Sequence, residues 1–305
     1  PLEAWTWSIA WGDGTTDGGA VTDTQPGAAG LDSDGWIGAS HTYGDNRAAG
    51  EPYTAQLTVT DDDGGRATVA ITIRVANVEP TLRPTANLTV NEGAVLTMPD
   101  IAFEDPGFAS TETWSYTIAW GDGTTAEGAV LDCLRGRAGT PSLGRFAGDL
   151  GKVYADDGNY VVDVTVSDHD GGEATAQFTV TVRNVAPDLT VPADTLTVAK
   201  CTYLDLAGML TFDDPGFGDS ETFTFSVEWG DGTAPASGDV TDLTPGAPHV
   251  KTHGRLNLRH AWTASRPAGE FYTVTVTVTD DDGDTDTGVF QVEVRNVPPV
   301  LALLP

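Results

Sequence analysis

Cysteine is scarce: Cys133 and Cys201 are the two in 305 residues, too few for a disulfide-stapled scaffold. The sequence leaves them open as a pair or as two free thiols. Cationic residues are scarce as well, with 15 Lys and Arg against 45 Asp and Glu and a formal net charge of −30. Phosphate binding needs clustered cations, so this balance argues against a nucleic-acid partner and against strong attraction to anionic lipid. The chain has no run of about 20 apolar residues that would span a bilayer as a helix, and no signal-peptide pattern at its start. It has no HExxH, no Gly-rich phosphate loop leading into a helix, and no recurring set of Ser, His and acid. Paired carboxylates serve glycoside hydrolysis in other folds, but the same acids repeated three times suit a structural role better.

What is present is strand and turn chemistry. The apolar fraction is 39% and aromatics run the whole length, with 36 Gly and 18 Pro, so the high charge does not imply disorder. "WGDGT" begins at Trp11, Trp120 and Trp229, at a spacing of 109 residues each time. In step with it come "TDDDGG" with Asp61, "SDHDGG" with Asp168 and "TDDDGD" with Asp280. Each repeat closes on "RVANVEP", "RNVAP" or "RNVPP", and "FEDPGF" from Phe103 recurs as "FDDPGF" from Phe212. "YTAQLTVTD", "YVVDVTVSD" and "YTVTVTVTD" alternate apolar and polar residues at period two, and so do the segments after each Asp-rich turn. Each such pair reads as an antiparallel hairpin. "WTWSIAW", "WSYTIAW" and "FTFSVEW" alternate likewise and stop at Gly-Asp-Gly. With no amphipathic helix pattern, the expectation is all-β, about seven short strands per repeat.

The "WGDGT" turn, the "HTY" of His41 to Tyr43 leading into "YTAQLTVTDDDGG", and the "NVxP" ending resemble PKD domains. These are immunoglobulin-like β-sandwiches named for polycystic kidney disease, and the likeness is greatest to long arrays in bacterial surface proteins. It covers nearly the whole chain. The second repeat departs from it with "KVYADDGNY" and the third with "RHAWTASRPAGEFY" in place of the His-Thr-Tyr element. The resemblance implies an elongated array of tandem sandwiches bounded at 1–79 (truncated at its N-terminal side), 80–186 and 187–298. Residues 299–305 would form the first strand of a further repeat, or a donor strand, Val300 to Leu304, for another subunit.

The repeating carboxylates are the candidate metal ligands: Asp105, Glu112, Asp168 and Asp170 in the second repeat, and Asp213, Asp214, Glu221, Asp280 and Asp282 in the third. The first repeat keeps Glu3, Asp61 and Asp63 and, lacking a "DPGF" aspartate, is expected to bind worst. In a sandwich of this type the loop before "WSYTIAW" and the Asp-rich hairpin turn can meet at one end. Carboxylates gathered there raise one another's pKa unless a cation neutralises them. Oxygen ligands without His or Cys favour Ca²⁺ over softer metals, and the resemblance implies the same ion. The competing reading is that Asp and Gly are good turn formers and that acidity serves solubility.

Asp13, Asp122 and Asp231, inside Gly-Asp-Gly, read as turn caps, and Trp11, Trp120 and Trp229 as core. Trp36 and Trp262, in the variable segments, are candidate sugar platforms. His249 and His253 lie four apart in a stretch read as a loop, and Asn87 heads the one sequon noted, "NLT". The functional expectation is a non-catalytic extracellular or cell-surface stalk, fibre or filament segment, stiffened by calcium. Its partners would be neighbouring repeats or subunits of the same protein. The alternative is an adhesin module that binds carbohydrate or protein through the variable segments 16–40, 125–151 and 234–259.

Overall fold

A computed structural model of the chain describes residues 3–47, 50–83, 85–146, 150–218 and 220–299. The expected donor strand, Val300 to Leu304, lies outside them. Among the described residues there is no α-helix, and the fold is all-β with tandem repeats of one strand pattern. By internal contacts the chain forms two compact units. Unit 1 comprises Pro1–Thr85, Pro99–Gly148 and Val162–Gln177; unit 2 comprises Ala86–Met98, Asp149–Val161 and Phe178–Pro305.

In unit 1 the strands Thr16–Ala20, Trp5–Ala10, Tyr53–Asp61 and Arg66–Ile73 form one antiparallel sheet in that order. A second is built from Asp132–Leu134, Ser142–Phe146, Ile101–Asp105 and Thr81–Leu82. Strand Ser115–Ala119 pairs with Thr125–Ala129 on one side and with the end of Gly158–Ser167 on the other. Ile9, Trp11 and Ala55 make one apolar centre; Phe103 stands 5.7 Å from the Trp114 ring at another.

Unit 2 repeats the arrangement. Asp188–Thr190, Thr211–Asp214, Thr252–Arg255 and Asp242–Thr244 form one sheet. Leu196–Ala199, Thr285–Arg295, Tyr272–Asp280, Phe223–Glu228 and Ala236–Asp239 form the other, whose first pair is parallel. Leu88–Asn91 pairs with Val180–Arg183 in the same parallel sense. Strand Tyr272–Asp280 shows why alternation is legible: Val274, Val276 and Val278 are fully buried while the intervening threonines face outward. They pack in one core with Phe212, Phe223, Trp229, Trp262, Phe290 and Val292.

Two strand glycines have a steric cause. A Cβ on Gly144 would lie 2.2 Å from the Phe103 ring, its cross-strand partner, and one on Gly254 would lie 2.1 Å from Phe212. Each phenylalanine therefore lies flat across a glycine, a fit only that residue allows.

Trp11, Trp120 and Trp229 are buried as expected. Trp262 is not a sugar platform: it is completely buried and its indole donates to the Trp229 carbonyl at 3.3 Å. Trp36 is exposed on strand Asp34–Trp36. The loop expected around His253 is instead strand Thr252–Arg255, where His253 sits directly opposite Asp213 and bonds its carboxylate at 2.8 Å. Both cysteines are free, Cys133 partly buried and Cys201 exposed.

Candidate metal centre

The Asp of each Gly-Asp-Gly turn caps its own loop. Asp13, Asp122 and Asp231 each accept the backbone N–H and the hydroxyl of the Thr two residues on, at 2.6–3.0 Å. These acids are committed to local structure, and in two repeats a histidine completes the turn: His41 bonds Asp13 and His260 bonds Asp231.

The leading Asp of each hairpin turn is also a cap. Asp61 accepts the Gly65 N–H at 2.6 Å, Asp168 the Gly172 N–H at 2.9 Å, and Asp280 the Gly283 and Asp284 N–H groups at 2.8 Å. In the later two repeats the other carboxylate oxygen receives the Asn of the preceding "NVxP" segment: Asn77 donates to Asp168 at 2.7 Å and Asn184 to Asp280 at 3.1 Å. The middle residue of the turn is not a bare spacer in the first and third repeats. Asp62 accepts from Ala4 N–H at 3.4 Å and Asp281 from Thr222 N–H at 3.3 Å.

In unit 1, Asp105 and Glu112 are both buried. Asp105 is fully hydrogen-bonded, to the Gly107 N–H at 2.6 Å and to the Trp114 indole at 3.2 Å. Glu112 is 2% exposed, and its Oε2 is buried with no partner. It lies against Gly107, where a Cβ would come within 2.6 Å of its carboxyl carbon. A ligand atom from each of Asp45, Glu112 and Asp170 falls within 4.8 Å of the others. Asp45 has one oxygen bonded by the Thr111 hydroxyl at 2.5 Å and the other, Oδ1, buried without a partner. Its loop is docked by Phe108 and Ala109, whose N–H groups both donate to the Gly44 carbonyl. A cavity of about 130 Å³ opens beside Asp45, Asn77 and Glu112.

Desolvation and crowding set the electrostatics. Burial, then the charge of Asp45, pushes Glu112 up to about 8. Asp170 is raised for the same reasons, in the same order. Asp105 is raised by burial against the opposing pull of its hydrogen bonds.

Unit 2 gathers Glu92, Asp156 and Asp282 within 4.8 Å in the same sense, beside the buried Asp214 and Glu221. Gly93, at φ 66°, lets the chain pass so close that a Cβ would strike the Pro215 carbonyl at 2.4 Å; this sets Glu92 next to the Asp214 turn. Glu92 accepts the Val185 N–H at 2.7 Å. Asp214 has one oxygen on the Gly216 N–H at 2.7 Å, but Oδ2 is buried without a partner. The residue corresponding to Trp114 is Phe223, which has no donor to offer. Burial, then Asp214, raises Glu92 to about 8; burial, then Asp281 and Asp214, raises Glu221 to about 8. Asp214 rises to about 6, by burial first and then Asp280.

Of the twelve acids expected as ligands, Glu112, Asp170 and Asp282 fall inside these trios, with Asp105, Asp168, Asp214, Glu221 and Asp280 close by through the bonds and charges just described. Asp213 lies on the other face of its strand with His253, and Glu3 and Asp63 are exposed. Asp61 belongs to the turn of the first repeat. Asp45, Asp156 and Glu92 were not anticipated. A signal for two of them existed: Asp45 and Asp156 each stand two residues after Tyr43 and Tyr154, whereas Trp262 is followed at that distance by Ala264.

Fold and site together define a class: tandem β repeats with carboxylate clusters built around a buried glutamate, in which Asp45, Glu112 and Asp214 each keep a buried oxygen without a donor. No protein-family model matches the chain. A mouse protein, the dyslexia-associated protein KIAA0319-like protein, is 32% identical over 160 residues, which is 48% of this chain and 14% of that protein. The chain thus matches a small part of that relative's length. Among solved structures, a tetra-tandem repeat in the extending region of a large adhesion protein overlaps 96% of this chain and 67% of its own, at 16% identity and a TM-score of 0.44. Drosophila N-cadherin EC1-3 overlaps 96% and 89%, at 13% identity and a TM-score of 0.26.

Proposed function

We propose that the chain is a non-catalytic segment of an extracellular or cell-surface protein, built of PKD-like repeats bounded near residues 79 and 186, in which Ca²⁺ ties one repeat to the next. The observation that carries this is Glu112: a carboxylate 2% exposed, with an oxygen that no donor satisfies, turned to two further carboxylates. An isolated buried carboxylate costs several kcal/mol or takes up a proton. A divalent cation removes that cost.

The donor set fits the ion. It is all oxygen, flexible in count, and beside a cavity with room for water. Asp45, Glu112 and Asp170 would hold the ion in unit 1, and Glu92, Asp156, Asp214 and Asp282 in unit 2. Bound calcium supplies charge neutralisation and cross-linking of segments far apart in sequence. Meanwhile Asn77 and Asn184, bonded to the hairpin-turn aspartates, hold each linker with or without the ion.

Thermal melting in calcium and in EDTA tests this. Calcium is expected to raise the melting temperature of the wild type and to lose part of that effect in Glu112→Gln. Identical melting with and without chelator would overturn it. A second reading, adhesion through the variable segments, rests on the exposed Trp36, Leu31 and Leu134; a glycan array reporting no binding would count against it.

A further inference from the structure

We infer, on the calcium reading just given, that the two sites are unequal and fill in sequence, the unit 2 site taking Ca²⁺ more tightly than the unit 1 site. Two differences at corresponding positions carry this, one in a hydrogen-bond donor and one in charge at the rim. The first is Phe223 in place of Trp114. In unit 1 the indole N–H donates to Asp105 Oδ2 at 3.2 Å, so each oxygen of that carboxylate already accepts a hydrogen bond. In unit 2 no donor replaces it, and Asp214 Oδ2 is left buried and bare in a side chain 1% exposed. A buried oxygen with no donor carries a desolvation cost that a bound cation relieves, whereas an oxygen already bonded gains less.

Around the bare carboxylate of unit 2, Glu92 joins Asp156 and Asp282 within 4.8 Å, is 2% exposed, and has Asp214 as its strongest negative neighbour. Glu221 is buried as well and also feels Asp214 and Glu92.

The second is charge at the rim. Asp157 and Asp281 stand where unit 1 has Asn46 and His169. Asp281 is the strongest negative neighbour of Glu221, and Asp157 that of Asp282. Lys251 acts on Asp214 in the opposite sense, but a single cation faces a larger excess of carboxylates. The number of anionic ligands is the main lever on Ca²⁺ affinity in oxygen sites, and at short range each added carboxylate acts through a poorly screened medium. Calcium rising from low levels would therefore order unit 2 first and unit 1 later.

Isothermal titration of the chelator-treated whole chain with CaCl₂ alone decides it. Two phases are expected, separated by about tenfold or more in Kd. Glu92→Gln and Asp214→Asn, both close to isosteric, should weaken the tight phase and spare the weak one. Glu112→Gln should do the reverse. His169→Asp, on an exposed turn, should tighten the weak phase without risk to folding. A single Kd for both sites, or loss of the tight phase in Glu112→Gln, would overturn the inequality while leaving calcium binding intact. No heat in the wild type would remove the calcium reading itself.

Discussion

The sites of units 1 and 2 share two corresponding pairs, Asp45 with Asp156 and Asp170 with Asp282, yet the buried aspartates beside them commit their oxygens differently. Asp105 is fully bonded by Gly107 and Trp114, while Asp214 keeps one buried oxygen without a donor. One aromatic exchange, Trp114 against Phe223, changes whether both oxygens of a buried carboxylate have donors. A repeated motif therefore fixes the position of an acid but not its role; the donors around it do that.

The largest expected effect is loss of the ion from both sites. Saturating calcium should raise the melting temperature by roughly 5–10 °C over EDTA, the stabilisation that a ligand at about 100 times its Kd confers on units of this size. Differential scanning calorimetry reads it, and would sharpen the comparison if the two units melted in separate transitions with different calcium dependence.

Next comes pH. Glu92, Glu112 and Glu221 have folded-state values near 8, well above the ordinary glutamate value. The ion-free fold therefore binds more protons than the unfolded chain between about pH 4.5 and 8. Its stability is fully present below that window and falls as pH rises through it. In EDTA the melting temperature should fall as the pH is raised from about 5 to about 8, and calcium should abolish the drop.

A smaller effect separates charge from packing. Glu112→Gln should raise the melting temperature slightly in EDTA at pH 8, where it removes a buried charge, and lower it in calcium. Asp105→Asn should cost about 1–3 kcal/mol in either condition, because it disturbs bonds to Gly107 and Trp114 rather than ion binding. The smallest effect is expected from Trp114→Phe, which gives unit 1 the unit 2 environment. It should tighten calcium binding at unit 1 a few-fold, at some loss of packing, as calorimetric titration would show.

Much of this fold is legible in sequence because alternation at period two maps directly onto strands such as Tyr272–Asp280, and Gly-Asp-Gly onto capped turns. Trp262 lies in a variable segment yet is completely buried, because its indole packs into the same core as Trp229; variability of sequence does not imply exposure. The site was half legible. Glu112 and Asp170 stand in repeated motifs, but Asp45 and Asp156 come from loops that look irregular, and Glu92 corresponds to Lys200 in the third repeat. Such acids are brought in by docking of backbone, Gly44 against Phe108 and Ala155 against Phe217. No period in the sequence encodes that contact. A run of aspartates in sequence also hides which member caps the turn: in the structure it is Asp168 and Asp280.

The most direct test is a crystal structure grown in calcium, with anomalous density read at Glu112. A cation bonded to Glu112 and Asp45 at about 2.3–2.6 Å is the predicted result. Water alone between those carboxylates, in a crystal at pH 8 with millimolar calcium, would contradict it.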